Sequence, residues 1–265
     1  MNSPIRYYGG KGTMFKEIIK HFPEPDTYEI YIEPFGGSYS IGLKKPPAKA
    51  EIYNDLEKNV YSLFKVLSNK EYFEKFKYRC DLSFYNDDIR RENLIRLKDP
   101  NISIEDRAFF FFYVNRTSHN GHGGFSMNTS IRRNMSKAVS DHLSCVDRLP
   151  ELHNRLSRVI VSNMDGVKLI EKHKDRSDVL IYCDPPYEQT TRGSARYETD
   201  MDVDHYNRFL DAAIESKSKI LISGYECELY NRLTDNGFEM IQFQVKTIDT
   251  KFNPKTKTET LWKNY

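Results

Sequence analysis

No two cysteines in the 265-residue chain stand close enough for a C-x-x-C pair: Cys80, Cys145, Cys183 and Cys227 are scattered. That spacing offers neither a zinc ribbon nor a dithiol redox centre, and four cysteines are too few for a disulfide scaffold. Nor does any stretch approach the ~20 consecutive apolar residues that a membrane span requires. The opening Met1-Asn2-Ser3-Pro4-Ile5-Arg6 lacks the apolar run of a signal peptide. Internal repeats and low-complexity linkers are missing as well. These absences lead us to expect a cytoplasmic enzyme or binding protein with no membrane partner. Neither sign of charge dominates, since 40 Lys+Arg face 38 Asp+Glu.

The balance hides an uneven distribution. Residues 107–140 are 34 positions without an Asp or Glu, where even spreading would place about five. The same stretch holds Arg107, Arg116, Arg132, Arg133 and Lys137, with His119 and His122, among Asn, Ser, Thr and Gly. A cationic, hydrogen-bonding surface of this kind suits phosphates. A polar loop with an accidental charge bias is the plainer alternative.

Apolar β-rich runs alternate with amphipathic segments, the pattern of an α/β sheet. Strands are expected at 29–33, 51–53, 158–162, 179–183 and 219–223. Helices are expected at 56–67, around 105–114, and at 141–156, 166–173, 203–216 and 226–236. Within 141–156, Leu143, Val146, Leu149, Leu152 and Leu156 recur every three or four residues and should form one buried face. Segments 238–248 and 258–265, joined through Asn253-Pro254, read as an antiparallel hairpin added to a parallel sheet. The acid-free stretch interrupts this alternation like an insertion.

Three glycine or proline clusters fall at strand ends, where open α/β sheets bind ligands. Glu33-Pro34-Phe35-Gly36-Gly37-Ser38 follows the first strand, and its glycines let backbone approach a ligand closely. Asn54-Asp55 follows the next, and Asp55 stands 22 residues after Glu33. An acid at that separation commonly holds ribose hydroxyls; capping a helix is the structural alternative. The third cluster, Asp184-Pro185-Pro186-Tyr187, follows the apolar run at 179–183. Its prolines stiffen the loop and remove two backbone donors, leaving carbonyls free to accept. An Asp acceptor, a carbonyl and an aromatic plane suit an exocyclic amine on a flat ring. A proline turn with a structural Tyr is the bland alternative.

Asp184-Pro185-Pro186-Tyr187 resembles the catalytic motif of amino-methylating DNA methyltransferases, in the Asp-initial form typical of adenine-N6 enzymes. Tyr7-Tyr8-Gly9-Gly10-Lys11 resembles the start of Dam-like adenine methylases, and residues 33–38 resemble their S-adenosylmethionine loop. Asn54-Asp55 is similar to their ribose-binding acid. Asn115-Arg116-Thr117-Ser118-His119-Asn120-Gly121 resembles the opening of their target-recognition region, and Leu261-Trp262-Lys263-Asn264-Tyr265 their closing strand. The resemblance implies a Rossmann-like, S-adenosylmethionine-dependent methyltransferase sheet, mostly parallel with a C-terminal antiparallel hairpin, built from 1–68 and 157–265. Residues 69–156 would be an inserted, mostly helical target-recognition region.

It further implies methyl transfer to adenine N6 in double-stranded DNA by a monomer or weak dimer in a bacterial cytoplasm, with room for a cognate restriction endonuclease as partner. Tyr7, Gly10, Lys11, Glu33, Pro34, Phe35, Gly36, Gly37, Ser38, Asp55, Asp165 and Asp184 would hold S-adenosylmethionine and its product S-adenosylhomocysteine. Asp184, Pro185, Pro186 and Tyr187 would act on a flipped adenine. Asn115, Arg116, His119, Asn120, His122, Arg132, Arg133 and Lys137 would bind DNA. No metal is expected, because His119-x-x-His122 sits in a glycine loop without further nearby ligands. The chain also departs from the family pattern. Tyr39 replaces the loop's second spaced glycine, and Tyr7 stands where tryptophan is usual. His119, His122 and Gly124 replace residues that meet the DNA, so a target other than GATC is expected. Cytosine-N4 enzymes usually carry Ser in place of Asp184, and RNA or protein-glutamine enzymes more often use Asn-Pro-Pro. A methylase-fold DNA-binding regulator without catalysis is the remaining alternative, against which intact 184–187 and Lys11 count.

Overall fold

The computed structural model describes residues 1–7, 9–186, 201–248 and 254–265. In chain order these form α1 (Phe15–Ile18), β1 (Ile30–Glu33), β2 (Ala50–Asn54), α2 (Lys58–Ser68), α3 (Lys70–Asp81), α4 (Asp87–Arg96), α5 (Ile104–Thr117), β3 (Ile131–Arg132), β4 (Met135–Ser136) and α6 (Lys137–Asp147). There follow α7 (Leu149–Leu156), β5 (Val159–Ser162), α8 (Gly166–His173), β6 (Val179–Cys183), α9 (Val203–Ile214), β7 (Lys219–Gly224), α10 (Asn231–Asp235), β8 (Glu239–Ile248) and β9 (Pro254–Lys263). They divide into two compact units. One holds Met1–Gly12, Gly37–Lys44 and Glu57–Ser162; the other holds Thr13–Gly36, Lys45–Leu56 and Asn163–Tyr265. Among the described residues no helix is long and apolar enough to cross a membrane.

The second unit is the α/β part, with strands in the order β2-β1-β6-β7-β9-β8. β2, β1, β6 and β7 run parallel, as the alternating pattern predicts. Parallel strands are covered on both faces, which is why Val179–Cys183 is an unbroken apolar run and buried throughout. Val167 and Ile170 of α8 and Phe209, Leu210 and Ala213 of α9 pack on Ile32, Ile181, Cys183, Ile220 and Ile222. The expected hairpin joins antiparallel, with Trp262 of β9 beside Ile222 of β7. β1 lies between β2 and β6, so the strand order reverses there. Such a reversal opens a crevice at the carboxyl ends of the strands.

The first unit is mainly helical. Leu63 and Phe64 of α2 and Phe112 and Tyr113 of α5 are almost wholly buried, and Phe76 of α3 meets Phe112 edge-on at 5.4 Å. α3 and α4 are additions to the sequence expectation. α4 gives no periodic signal, because it buries Arg90 and Asn93 while Leu94 and Ile95 are exposed. The single helix expected over 141–156 does not form. α6 stops at Asp147 and α7 begins at Leu149, with Pro150 in its first turn, where a missing N–H costs nothing. Val146, Leu149, Leu152 and Leu156 are buried as expected, but Leu143 is exposed. The helix expected over 226–236 likewise splits into a short turn, Glu228–Tyr230, and α10.

α6 also buries His142 at 2% exposure, edge-on to the Tyr85 and Tyr113 rings, with neither ring nitrogen hydrogen-bonded. Burial, reinforced by the charges of Arg116 and Arg6, lowers its pKa from 6.5 to about 4. The folded imidazole is therefore neutral where the unfolded chain already takes up a proton. Its contribution to stability is complete above pH 6.5 and is lost as pH falls toward 4. Unfolding free energy should drop by up to ~3 kcal/mol across that window. His142→Phe should flatten the drop in denaturant titrations. The same slope in both proteins would remove His142 as its source.

Candidate active site and DNA-facing surface

Sheet register sets the site. Ile32 lies beside both Ile52 and Ile181, so β1, β2 and β6 end within one residue of the same level, at Glu33, Asn54 and Cys183 respectively. Glu33 is 3% exposed and accepts a 2.6 Å hydrogen bond from the buried Tyr31 hydroxyl. The Lys45 ammonium sits 4.2 Å over the Tyr31 ring and pairs with Glu51 at 2.5 Å, both side chains being fully inside. Glu33 thus stands on an internally paired, rigid base.

The buried Asn54 ties these strand ends together. Its amide nitrogen donates to the Pro34 and Met164 carbonyls, each at 2.8 Å, and its amide oxygen accepts from the Met164 N–H at 3.0 Å. Its own carbonyl accepts from the Gly36 N–H at 2.8 Å. Glycines permit the close approach. A Cβ on Gly36 would lie 2.2 Å from the Tyr53 ring, and one on Gly166 would lie 2.7 Å from Phe35. The carbonyl of the neighbouring Asp55 accepts from Asn163 at 2.6 Å. Helix capping is not the role of Asp55: α2 begins at Lys58, and Glu57 caps it by accepting from Asn59 and Val60 at 2.9 and 2.7 Å.

Asp165 caps α8 through a 2.8 Å bond from the Val167 N–H, shares a 3.1 Å hydrogen bond with His205 Nε2, and lies 3.7 Å from Arg208. Partial burial pushes its pKa up. The Val167 and His205 bonds, with the Arg208 charge, outweigh burial and hold the carboxyl below its usual range. Asp184 follows β6, with Pro185 buried and Pro186 partly so. The fully buried Ser223 on β7 places its hydroxyl 3.1 Å from Asp184 Oδ1. Sequence reasoning missed Ser223, whose only signal is the pairing of Cys183 with Ile222 that brings the next residues level. Tyr187 lies outside the described residues.

The first unit gathers the other residues assigned to the methyl donor. Gly37, at φ +46°, approaches the Tyr7 ring so closely that a Cβ would lie 2.8 Å from it, and a Cβ on Gly10 would lie 3.2 Å from Ser38 Oγ. Lys11 is buried, and its ammonium donates to the Gly9 carbonyl at 3.3 Å. Tyr39 keeps a left-handed backbone, φ 53°, at the position where the family loop has glycine. That geometry costs a side chain ~1–2 kcal/mol. Burial offsets it: the ring meets Phe64 edge-on at 6.2 Å and fills the space beside Gly42.

The residues assigned to DNA separate into two groups. Asn115 and Arg116 are internal. Asn115 accepts from the Arg6 N–H and donates to the Arg6 carbonyl, each at 2.8 Å, and Arg116 donates to the Asp141 carbonyl at 3.0 Å. His119, Asn120, His122, Arg132, Arg133 and Lys137 are exposed. Asp141, the first acid after the acid-free stretch, binds Arg132 and Lys137 directly, with Arg6 at 3.9 Å. Three cations thus face one carboxylate. β3 and β4 form a minimal hairpin whose turn residues, Arg133 and Asn134, both have positive φ (52° and 57°), the type I′ geometry. A cleft of about 290 Å³ is lined by Arg6, His119, Asn120, Asn128, Lys137 and Asp141, among others.

The sequence profile described as D12 class N6 adenine-specific DNA methyltransferase matches residues 7–253. The chain is 25% identical over 215 residues to the type II methyltransferase M.FokI of Planomicrobium okeanokoites, covering 72% of this chain but only 30% of that protein. It is 22% identical over 250 residues to the retron Ec67 DNA adenine methylase of Escherichia coli, covering 89% of this chain and 81% of that one.

Asn54→Ala would orphan one N–H and two carbonyls at the strand ends. We expect it to cost ~2–3 kcal/mol of unfolding free energy. Asp55→Ala should cost less than half as much, because Glu57 caps α2. Equal losses in chemical denaturation would contradict the bracing role of Asn54.

Proposed function

The chain belongs to the D12 class N6 adenine-specific DNA methyltransferase family, and we propose that it moves a methyl group from S-adenosylmethionine to N6 of an adenine flipped out of double-stranded DNA. The observation that carries this reading is Asp184-Pro185-Pro186 at the end of β6, beside the end of β1, where the strand order reverses. Open α/β sheets bind their ligands at that point.

The residues present fit the donor. Glu33 ends β1 and Asp55 follows the neighbouring β2, and carboxylates there suit a cationic ligand that carries a ribose diol. Gly36 keeps clear the space that a Cβ would contest with Tyr53. S-adenosylmethionine supplies an electrophilic methyl on a sulfonium. Within the first unit, Tyr7, Gly10, Lys11, Gly37 and Ser38 carry the donor assignment by the same motifs.

Adenine N6 is a poor nucleophile because its lone pair is conjugated with the ring. Asp184 and the Pro185 carbonyl accept hydrogen bonds from the amino group and draw that lone pair out of conjugation. Tyr187 stacks on the ring. Orientation of the reacting atoms then supplies much of the rate. On the DNA-facing surface, Arg132, Arg133 and Lys137 contact phosphates, whereas His119, Asn120 and His122 reach toward bases. Burial of Asn115 and Arg116 supports a bracing role for that pair.

Asp184→Ala should lower the transfer of tritiated methyl into acid-insoluble DNA by ~10²–10³ while leaving duplex affinity nearly unchanged. Near-normal turnover would remove the catalytic assignment. Arg132→Ala combined with Arg133→Ala should weaken binding to all duplexes alike. The slope of log K against log salt should flatten by up to ~1.8 for two lost phosphate contacts. An unchanged slope would refute the phosphate contacts.

A further inference from the structure

β6 and β7 run parallel with Cys183 beside Ile222. Side chains alternate along strands, so Tyr182 and Asp184 share a face, and Ser223 reaches that face at the level of Asp184. Ser223 is 0% exposed and Tyr182 2%. The Ser223 hydroxyl oxygen lies 3.0 Å from the Tyr182 hydroxyl, 3.1 Å from Asp184 Oδ1 and 3.5 Å from the Cys183 carbonyl. Counting protons fixes the direction. The Ser223 hydroxyl donates its single hydrogen to Asp184 Oδ1, so the Tyr182 O–H donates to Ser223. Burial, with the negative charge of Asp184, pushes the Tyr182 phenol well above its usual pKa, so it keeps that proton.

We propose that Ser223 is a positioning residue for methyl transfer, its hydroxyl aimed by Tyr182 and tethering one oxygen of the Asp184 carboxylate. The inference rests on the catalytic assignment of Asp184. A tethered carboxylate does not rotate about its Cβ–Cγ bond, so its accepting geometry is set before the amino group arrives. Loss of the tether removes one of the contacts that set this orientation, so more of it has to be fixed during the reaction.

The test compares full-length variants in single-turnover methyl transfer at saturating donor and duplex. Ser223→Ala removes the tether without adding bulk and should slow transfer ~10–100-fold. Its KM values for S-adenosylmethionine and for duplex should stay within ~3-fold of the parent. Ser223→Thr keeps the hydroxyl and should recover most of the rate. Tyr182→Phe should lose less, and Ser223→Ala combined with Tyr182→Phe should be no slower than Ser223→Ala alone, because the chain is already broken. A near-parental rate for Ser223→Ala, with Asp184→Ala inactive, would overturn the positioning role and leave Asp184 catalytic. A loss that Ser223→Thr does not recover, multiplied further in the double variant, would also overturn it and mark Ser223 as packing alone. Full activity of Asp184→Ala would instead remove the assignment on which the inference rests.

Discussion

Asn54 makes its three side-chain hydrogen bonds to Pro34 and Met164 where the sheet has no ladder bonds left to give. At the carboxyl ends of parallel strands, backbone groups run past the last pair and still require partners. One carboxamide supplies them for the turn after β1 and for the turn before α8. Much of the surrounding detail follows from that bracket. Gly36 and Gly166 are glycines because the turns come so close. Phe35, held between them, turns its ring edge-on to Phe209 at 5.7 Å. Asp165 caps the helix that starts there. Glu33 and Asp55 are thereby fixed on a stiff edge, and Asp184 follows the adjoining strand.

The parts of this arrangement that sequence made legible have simple physical signatures. Strands buried on both faces are continuous apolar runs, so Val179–Cys183 and its neighbours declare themselves. Pro185, Pro186, Gly36 and Gly37 mark the ends of such runs, where the proposed chemistry sits. The bracing function of Asn54 and the tether at Ser223 were not legible, because each depends on register between strands distant in sequence. α4 carries no periodic signal, since it buries Arg90 and Asn93. The resemblance assigned Asn115 and Arg116 to DNA, and their hydrogen bonds satisfy backbone inside the fold, a role set by contacts distant in sequence.

Composition located the cationic face but not its internal pairing, because the neutralising acid lies one residue beyond the acid-free stretch. Arg132 and Lys137 remain 49% and 46% exposed while bound to Asp141. About half of each cationic side chain stays in water beside the mostly buried Asp141, so on the proposed reading a DNA phosphate reaches these groups without displacing the carboxylate. Asp141 therefore holds the side chains near one another without sequestering them. The hairpin turn at Arg133 and Asn134 serves the same end, presenting a cation at the tip of two short strands.

On the proposed reading, this site methylates the exocyclic amine of adenine. The most direct measurement is mass spectrometry of nucleosides from duplex DNA treated with the protein and trideuteriomethyl-labelled S-adenosylmethionine. Label is expected in N6-methyldeoxyadenosine, and Asp184→Ala should abolish it. Label in N4-methyldeoxycytidine, or no labelled nucleoside from DNA rich in sequence variety, would contradict it.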